Sequence, residues 1–361
     1  MFTLISVLSL ASLLLPHVLA GRNSFLRCPN SDHYHKPGSE KCCKFYALRD
    51  DLQDNLFTNH CGDNARLAVR VSFHDAIGYS KSNHSRGHGA DGSILIFSDI
   101  ETQIFPNLFL PPFLDQLKPY LTKYPGVSAG DLIQFAGAVG ISNCPGAPRL
   151  QFLAGRPNAT IHGDPTLIPS PANSAETMIA RMNDAGLTAE DLVHLMASHS
   201  IAHAKNVDPT LNHAPLDSTP NKFDNQYFLE ILLRGTGVPG TTKNFGEVNS
   251  GMPAQGELRL QSDSNLARNP LTACKWQSLV DDHEAMKDGY KDAMAKLAVL
   301  GQDVDDLYDC SDVIQKAPFL RSCAASYPPG KTFADVDKSC SAPFPELRSQ
   351  RGQPTPIPQD Y

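Results

Sequence analysis

The chain has 361 residues, with 31 Lys plus Arg against 38 Asp plus Glu and a net charge of −7. A length of this kind buries a large core, as one big domain or two small ones. No basic run offsets the acidic balance, which argues against nucleic acid or an anionic membrane as partner.

Residues 1–20 are an apolar run ending in Val18-Leu19-Ala20 and interrupted by Pro16 and His17. This predicts a signal peptide rather than a membrane span, although no positive charge opens it. No later stretch reaches the ~18 apolar residues a membrane helix needs. The mature chain is therefore expected to be soluble and secreted to the extracellular space. Nine cysteines, at 28, 42, 43, 61, 144, 274, 310, 323 and 340, agree with an oxidising compartment. They read as a disulfide framework with one thiol left over, in a connectivity the sequence leaves open. No Cys-x-x-Cys pair is present. Asn83-His-Ser85 and Asn158-Ala-Thr160 are glycosylation acceptors.

Apolar residues spaced by three and four predict helices over 47–59, 62–77, 113–123, 130–142, 174–185, 189–202, 224–233 and 273–300. Thr188 and Asp191 open one of them as a capping box. Leu192, Leu195 and Met196 then share a stripe that points His199 inward. Gly and Pro, 25 and 28 residues, mark the loops between helices. Strand-like alternation is limited to short runs near 256–260. The expected fold is mostly α, one domain over 21–345 made of two helical halves with a cleft between them. The tail, 346–361, carries Pro354, Pro356 and Pro358 and is expected to be an extended or disordered appendage.

The most informative segment is Arg70-Val-Ser-Phe73-His74-Asp75, joined by Ala197-Ser-His199-Ser200 far along the chain. On a helix, Arg70 and His74 share a face. A cation and an imidazole aimed at one spot suit a bond that gains a proton on one atom and sheds negative charge from another. A remote histidine opposite them can hold a metal. Taken singly, each pair reads more simply as a satisfied helix face. His199 and His203 have zinc-ligand spacing, but Ser200 stands where a zinc protease needs its Glu. His84 and His88 flank a Ser-Arg-Gly loop and are expected to face solvent.

The run of collinear motifs changes that balance. RVSFHDA (70–76), GADGS (89–93), AGAVGISNCPGAPRLQFLAGRPN (136–158), ASHSIA (197–202), DSTPNKFD (217–224), RLQSD (259–263) and TACKWQS (272–278) resemble the secreted fungal class II haem peroxidases. That group holds the lignin, manganese and versatile peroxidases, and the resemblance spans about residues 28–345. It implies the haem peroxidase fold, two helical halves sandwiching haem b, and a monomer that reduces hydrogen peroxide. His199 matches the axial haem-iron ligand, and Asp263 the carboxylate on its other nitrogen. His74 matches the acid–base, Arg70 the group that stabilises the departing oxygen, and Phe73 the aromatic that narrows the pocket. Asn107 matches the residue accepting from His74, and Glu101 the carboxylate behind Asn107. The resemblance also implies two Ca²⁺ sites with hard oxygen donors. One is Asp75, Gly89, Asp91 and Ser93; the other is Ser200, Asp217, Thr219, the Lys222 carbonyl and Asp224. Its implied disulfides are Cys28–Cys43, Cys42–Cys310, Cys61–Cys144 and Cys274–Cys340, with Cys323 left over.

Three positions depart from the specialised branches. His194 stands where lignin and versatile peroxidases carry a surface tryptophan, and the single tryptophan, Trp276, lies in a core-like segment. The manganese-binding positions are Asp63, Leu67 and Lys205, so one acid survives. Leu216 replaces a proximal phenylalanine. The expectation is a generic, low-potential peroxidase acting on small phenols and aromatic donors. A manganese peroxidase with an atypical site is the nearest alternative; a calcium-stabilised binding protein that has lost catalysis is another.

Overall fold

The computed structural model describes residues 26–29, 32–35, 39–204, 207–208, 210–211, 213–235 and 244–357. The signal-peptide segment and Lys205 lie outside them. Helices carry the architecture: α1 (Cys43–Leu52), α2 (Asp63–Ala76), the single turns α3 (Ser93–Ile96) and α4 (Ser98–Glu101), α5 (Pro111–Lys123) and α6 (Ala129–Ile141). The second part holds α7 (Ala175–Ala185), α8 (Ala189–Leu195), α9 (Gln226–Leu232), α10 (Gln261–Arg268), α11 (Ala273–Ser278) and α12 (His283–Leu297). Strands among the described residues are two-residue antiparallel pairs. One of them, His203–Ala204 with Ala214–Pro215, closes the loop after His199.

α6 is buried along its whole length, as an apolar run with no polar face must be. It packs directly on α2. Gly137 and Gly140 allow this: a Cβ on Gly137 would lie 2.8 Å from Ser72 Oγ, and one on Gly140 3.1 Å from the Ala65 carbonyl oxygen. Gln134 adds a bond from Nε2 to the Ser72 carbonyl at 3.1 Å. α2 is thereby held from behind while its other face meets the cleft. On the far side of the cleft, α8 packs against α12. There a Cβ on Gly289 would fall 2.0 Å from the His194 ring.

The expected helices form, with informative changes. The Thr188 capping box is present, the Asp191 amide donating to Thr188 Oγ1 at 3.0 Å. The helix it starts is α only to Leu195. It tightens into a 3₁₀ segment, Met196–Ile201, and His199 sits on that tighter turn. The span 273–300 is two helices rather than one, because Asp282 accepts from the Ala285 amide and starts a new N-terminus. α10 was not expected: Gln261-Ser-Asp-Ser-Asn has no apolar stripe, and its buried face includes Ser262, Asp263 and Ser264.

The tail is extended over 346–357, where it bonds to the rest of the chain; residues 358–361, with Pro358, lie outside the described residues. The Tyr327 amide donates to the Arg348 carbonyl, the Gln350 amide to the Tyr327 carbonyl, and the Ile357 amide to the Gln255 carbonyl at 2.9 Å. Ile357 is buried in the core. Apolar anchoring at one position offsets the weak structure of a Pro-rich segment. The disulfides are Cys28–Cys43, Cys42–Cys310, Cys61–Cys144 and Cys274–Cys340, and Cys323 is a free thiol. Among the described residues no helix is long and apolar enough to cross a membrane.

Candidate active site

A cavity of about 390 Å³ separates α2 from the His199 segment. Arg70, Phe73 and His74 line it on one side, and His199 and Leu216 on the other. Helical spacing puts Arg70 and His74 one turn apart, with Arg70 Nε 3.4 Å from His74 Nε2. Arg70 is also fixed by its Nη2, which donates to the Pro106 carbonyl at 3.2 Å.

The state of His74 follows from its other nitrogen. Asn107 Oδ1 lies 2.7 Å from His74 Nδ1 and accepts its proton. Nε2 is then the nitrogen that carries the lone pair, and it accepts from Arg70 Nε. Burial, then the Arg70 charge, push the His74 pKa down to about 3, although the Asn107 bond favours the charged form. His74 is therefore a neutral base facing the cavity.

Glu101, the carboxylate the resemblance sets behind Asn107, shows no hydrogen bond to Asn107 among the described residues. It is buried, and its Oε1 accepts from the Gly163 amide at 2.7 Å. Among the described residues the Asn107 side-chain NH₂ has no acceptor.

Across the cavity, His199 Nδ1 lies 2.9 Å from Asp263 Oδ2. Asp263 is fully buried on α10, and this contact leaves His199 Nε2 as the nitrogen available to the cavity. Asp263 has two further donors. Ser262 Oγ donates to Oδ1 at 2.8 Å, and Tyr227 Oη donates to Oδ2 at 2.8 Å. Tyr227 was missed in the sequence because it reads as one more apolar position of α9; only the packing of α9 on α10 brings its hydroxyl to Asp263. Arg66 ties the two sides together, its Nε donating to the Ile201 carbonyl at 2.7 Å and Nη2 to the Pro220 carbonyl at 3.2 Å.

Two pairs of buried carboxylates flank this arrangement. Asp75 and Asp91 meet in the GADGS loop, where Asp75 accepts from the Gly92 and Ile94 amides at 3.0 and 3.4 Å, and Asp91 from the Ser93 amide at 3.0 Å. The Gly89 carbonyl accepts from the Asp91 amide. Burial first, then the neighbouring acids Asp91 and Glu101, raise Asp75 well above the usual carboxylate range. The second pair is Asp217 and Asp224, joined through Thr219, whose amide donates to Asp217 and whose Oγ1 donates to Asp224. Burial pushes Asp224 up to about 7, and Asp217 well above its ordinary value. Ser200 is buried beside His199, and the Lys222 amide donates to the Thr219 carbonyl. Asp91 Oδ2 and Asp217 Oδ2 are buried without a hydrogen-bond partner among the described residues. Acids so placed suit a bound cation. Among the described residues no three His, Cys, Asp or Glu side chains converge on one point, so each set needs backbone and hydroxyl oxygens as well.

The departures also find their places. His194 is buried, 3.7 Å from Glu190. Trp276 is fully buried, its indole NH donating to the Phe228 carbonyl at 3.0 Å. Asp63 and Leu67 line the cavity. Asp63 is 3.4 Å from Arg66 Nη1, 3.4 Å from His213 Nε2 and 3.9 Å from His203 Nδ1.

Comparison with known proteins decides the family. A family described as "Peroxidase" matches residues 48–282, and one described as "Fungal peroxidase extension region" matches 285–359. The chain belongs to the peroxidase family. This peroxidase is 49% identical to manganese peroxidase 2 of Phlebia radiata over 326 residues, 88% of this chain and 84% of that protein. It is 45% identical to versatile peroxidase VPS1 of Pleurotus eryngii, over 89% of this chain and 88% of the relative. A protein named Peroxidase from Arthromyces ramosus is 41% identical over 99% of this chain and 97% of its own length. The peroxidase is thus a hydrogen-peroxide-dependent oxidoreductase of mostly helical fold, and its family implies haem. The cavity fits that group: its walls are largely apolar, and one histidine nitrogen is open while the other is fixed by a buried carboxylate.

Proposed function

We propose a secreted, monomeric, generic peroxidase that holds haem b through His199 and two Ca²⁺ ions, and oxidises small phenolic and aromatic donors one electron at a time. The observation that carries the donor class is the mouth of the cavity. Phe105, Phe109 and Phe245 line it and are 46, 50 and 70% exposed. Such a rim favours flat apolar rings over ions. The one acid at the manganese-type position, Asp63, already faces Arg66 and two imidazoles, and Leu67 offers no oxygen for a hard cation.

When bound, haem would supply a redox-active iron able to accept the oxidising equivalents of hydrogen peroxide. His74 Nε2 accepts a proton from hydrogen peroxide and returns it to the outer oxygen, which leaves as water. Asn107 keeps His74 in the tautomer this needs. Arg70 donates to the charge developing on the departing oxygen, and Phe73 restricts access. Asp263 orients His199, and Leu216 packs beneath the site. Two donor molecules then each give up one electron, a phenol losing its proton as well. Asp75, Gly89, Asp91 and Ser93 would hold one calcium; Ser200, Asp217, Thr219, Lys222 and Asp224 would hold the other. Each set adjoins a histidine of the cavity. Asn83 and Asn158, both exposed, are the glycosylation sites.

A steady-state panel tests this reading. Peroxide-dependent, saturable oxidation of simple phenols is expected, with no efficient turnover of Mn²⁺ or of bulky non-phenolic donors. Saturation by micromolar Mn²⁺ in the unmodified enzyme would overturn it in favour of a manganese peroxidase.

A further inference from the structure

The Asp263 carboxylate receives a donor that its pairing with His199 does not require. Tyr227 is completely buried on α9, and its ring is wedged between Phe228 and Trp276, with centroids 5.3 and 5.5 Å away. Its hydroxyl donates to Asp263 Oδ2 at 2.8 Å. This is the same oxygen that His199 Nδ1 reaches at 2.9 Å, while Oδ1 is occupied by Ser262. The Tyr227 hydroxyl also stands 3.5 Å from His199 Nδ1 itself. Two donors therefore compete for one carboxylate oxygen.

The chemistry of that competition has a direction. A carboxylate that draws on the Nδ1 proton makes the imidazole more anionic and a stronger electron donor through Nε2. A phenol on the same oxygen takes up part of the carboxylate's charge, which weakens the pull on the Nδ1 proton. The ring is clamped by aromatic neighbours, so the hydroxyl cannot swing away. We propose that Tyr227 is a positioning residue that moderates the His199–Asp263 pair and would set the reduction potential of a haem iron held by His199 Nε2 higher than the pair alone would. This rests on His199 being the axial ligand of the haem.

The test uses the haem-loaded enzyme and Tyr227→Phe, which keeps the ring and removes the hydroxyl. Two readouts other than turnover apply: the ferric–ferrous midpoint by spectroelectrochemical titration, and the iron–histidine stretch of the ferrous form by resonance Raman. The midpoint should move to a more negative potential and the stretch to higher frequency. In an Asp263→Asn background, Tyr227→Phe should move neither, because the charge it moderates is gone. An unmoved midpoint and stretch in Tyr227→Phe would overturn the proposal. So would an equal shift in the Asp263→Asn background, which would mark a packing effect. If Tyr227→Phe fails to hold haem, 3-fluorotyrosine placed at position 227 supplies a stronger donor of nearly the same shape. It should move both readouts the opposite way, and unchanged values would again overturn the role. A wild-type enzyme with haem but no iron–histidine band would instead bring down the assignment of His199, and the role of Tyr227 with it.

Discussion

An imidazole that must accept a proton has to be neutral when the proton arrives, and His74 meets that condition far into acid. Its pKa, pushed down to about 3 by burial and by Arg70, leaves Nε2 mostly unprotonated above about pH 4. The rate constant for reaction with peroxide should therefore stay level from pH 7 to about 4 and fall below that, which stopped-flow mixing across the range would measure. His74→Ala should keep its haem absorption yet react with peroxide ~10²–10⁴-fold more slowly, the loss typical of a removed acid–base. Reaction of His74→Ala at the wild-type rate would remove His74 from the mechanism. The motif around His74 was legible because helical spacing and family resemblance both act over a few residues. The partners of Asp263 were not, since Tyr227 lies 36 residues away and nothing in its own segment distinguishes it from a core residue. Glu101 was named from resemblance, and the bond its Oε1 accepts from the Gly163 amide is one that no local pattern reveals.

Packing between elements explains where helical periodicity succeeded and where it failed. The apolar stripe of α2 and the apolar run of α6 made both helices readable, whereas α10 buries Ser262, Asp263 and Ser264 and has no stripe to read. The break before α12 is a capping event at Asp282 within an otherwise continuous pattern. Close contact between helices gives a direct test. Gly289→Ala should destabilise the protein by ~1–3 kcal/mol, the usual range for overpacking, because its Cβ would sit 2.0 Å from the His194 ring. Adding His194→Ala should recover part of that loss, and thermal denaturation of the two single variants and the double would give the coupling. The carboxylate pair at the end of α2 makes a second test. Asp75 directly follows His74, so a chelator should lower the unfolding temperature and inactivate the enzyme slowly, and added Ca²⁺ should reverse both. Calorimetry with and without chelator would decide, an unchanged transition counting against the calcium sites.

At the scale of the molecule, the proposed donor class would rest on the rim and on what the cavity wall lacks. Asp63→Glu, Leu67→Glu and Lys205→Asp together should create saturable Mn²⁺ oxidation while leaving phenol oxidation nearly intact, as measured by initial rates with each donor. Titration of the denatured, unreduced protein should find one thiol, at Cys323. Whole-chain arrangement was the least legible level. A Pro-rich tail reads as free until Ile357 is seen buried against the segment at Gln255. The bond between Cys42 and Cys310 has a further consequence for how the chain is made. Its two ends are 268 residues apart, so at roughly 5–20 residues per second a newly synthesised Cys42 waits on the order of 10–50 s for its partner. Cys42 and Cys43 are adjacent, and either can capture Cys28 during that interval. Capture by Cys42 leaves the first crosslink one residue out of place, to be corrected by thiol exchange once Cys310 emerges. A polypeptide truncated before residue 310 therefore keeps a surplus thiol near its oldest end, at Cys42 or Cys43.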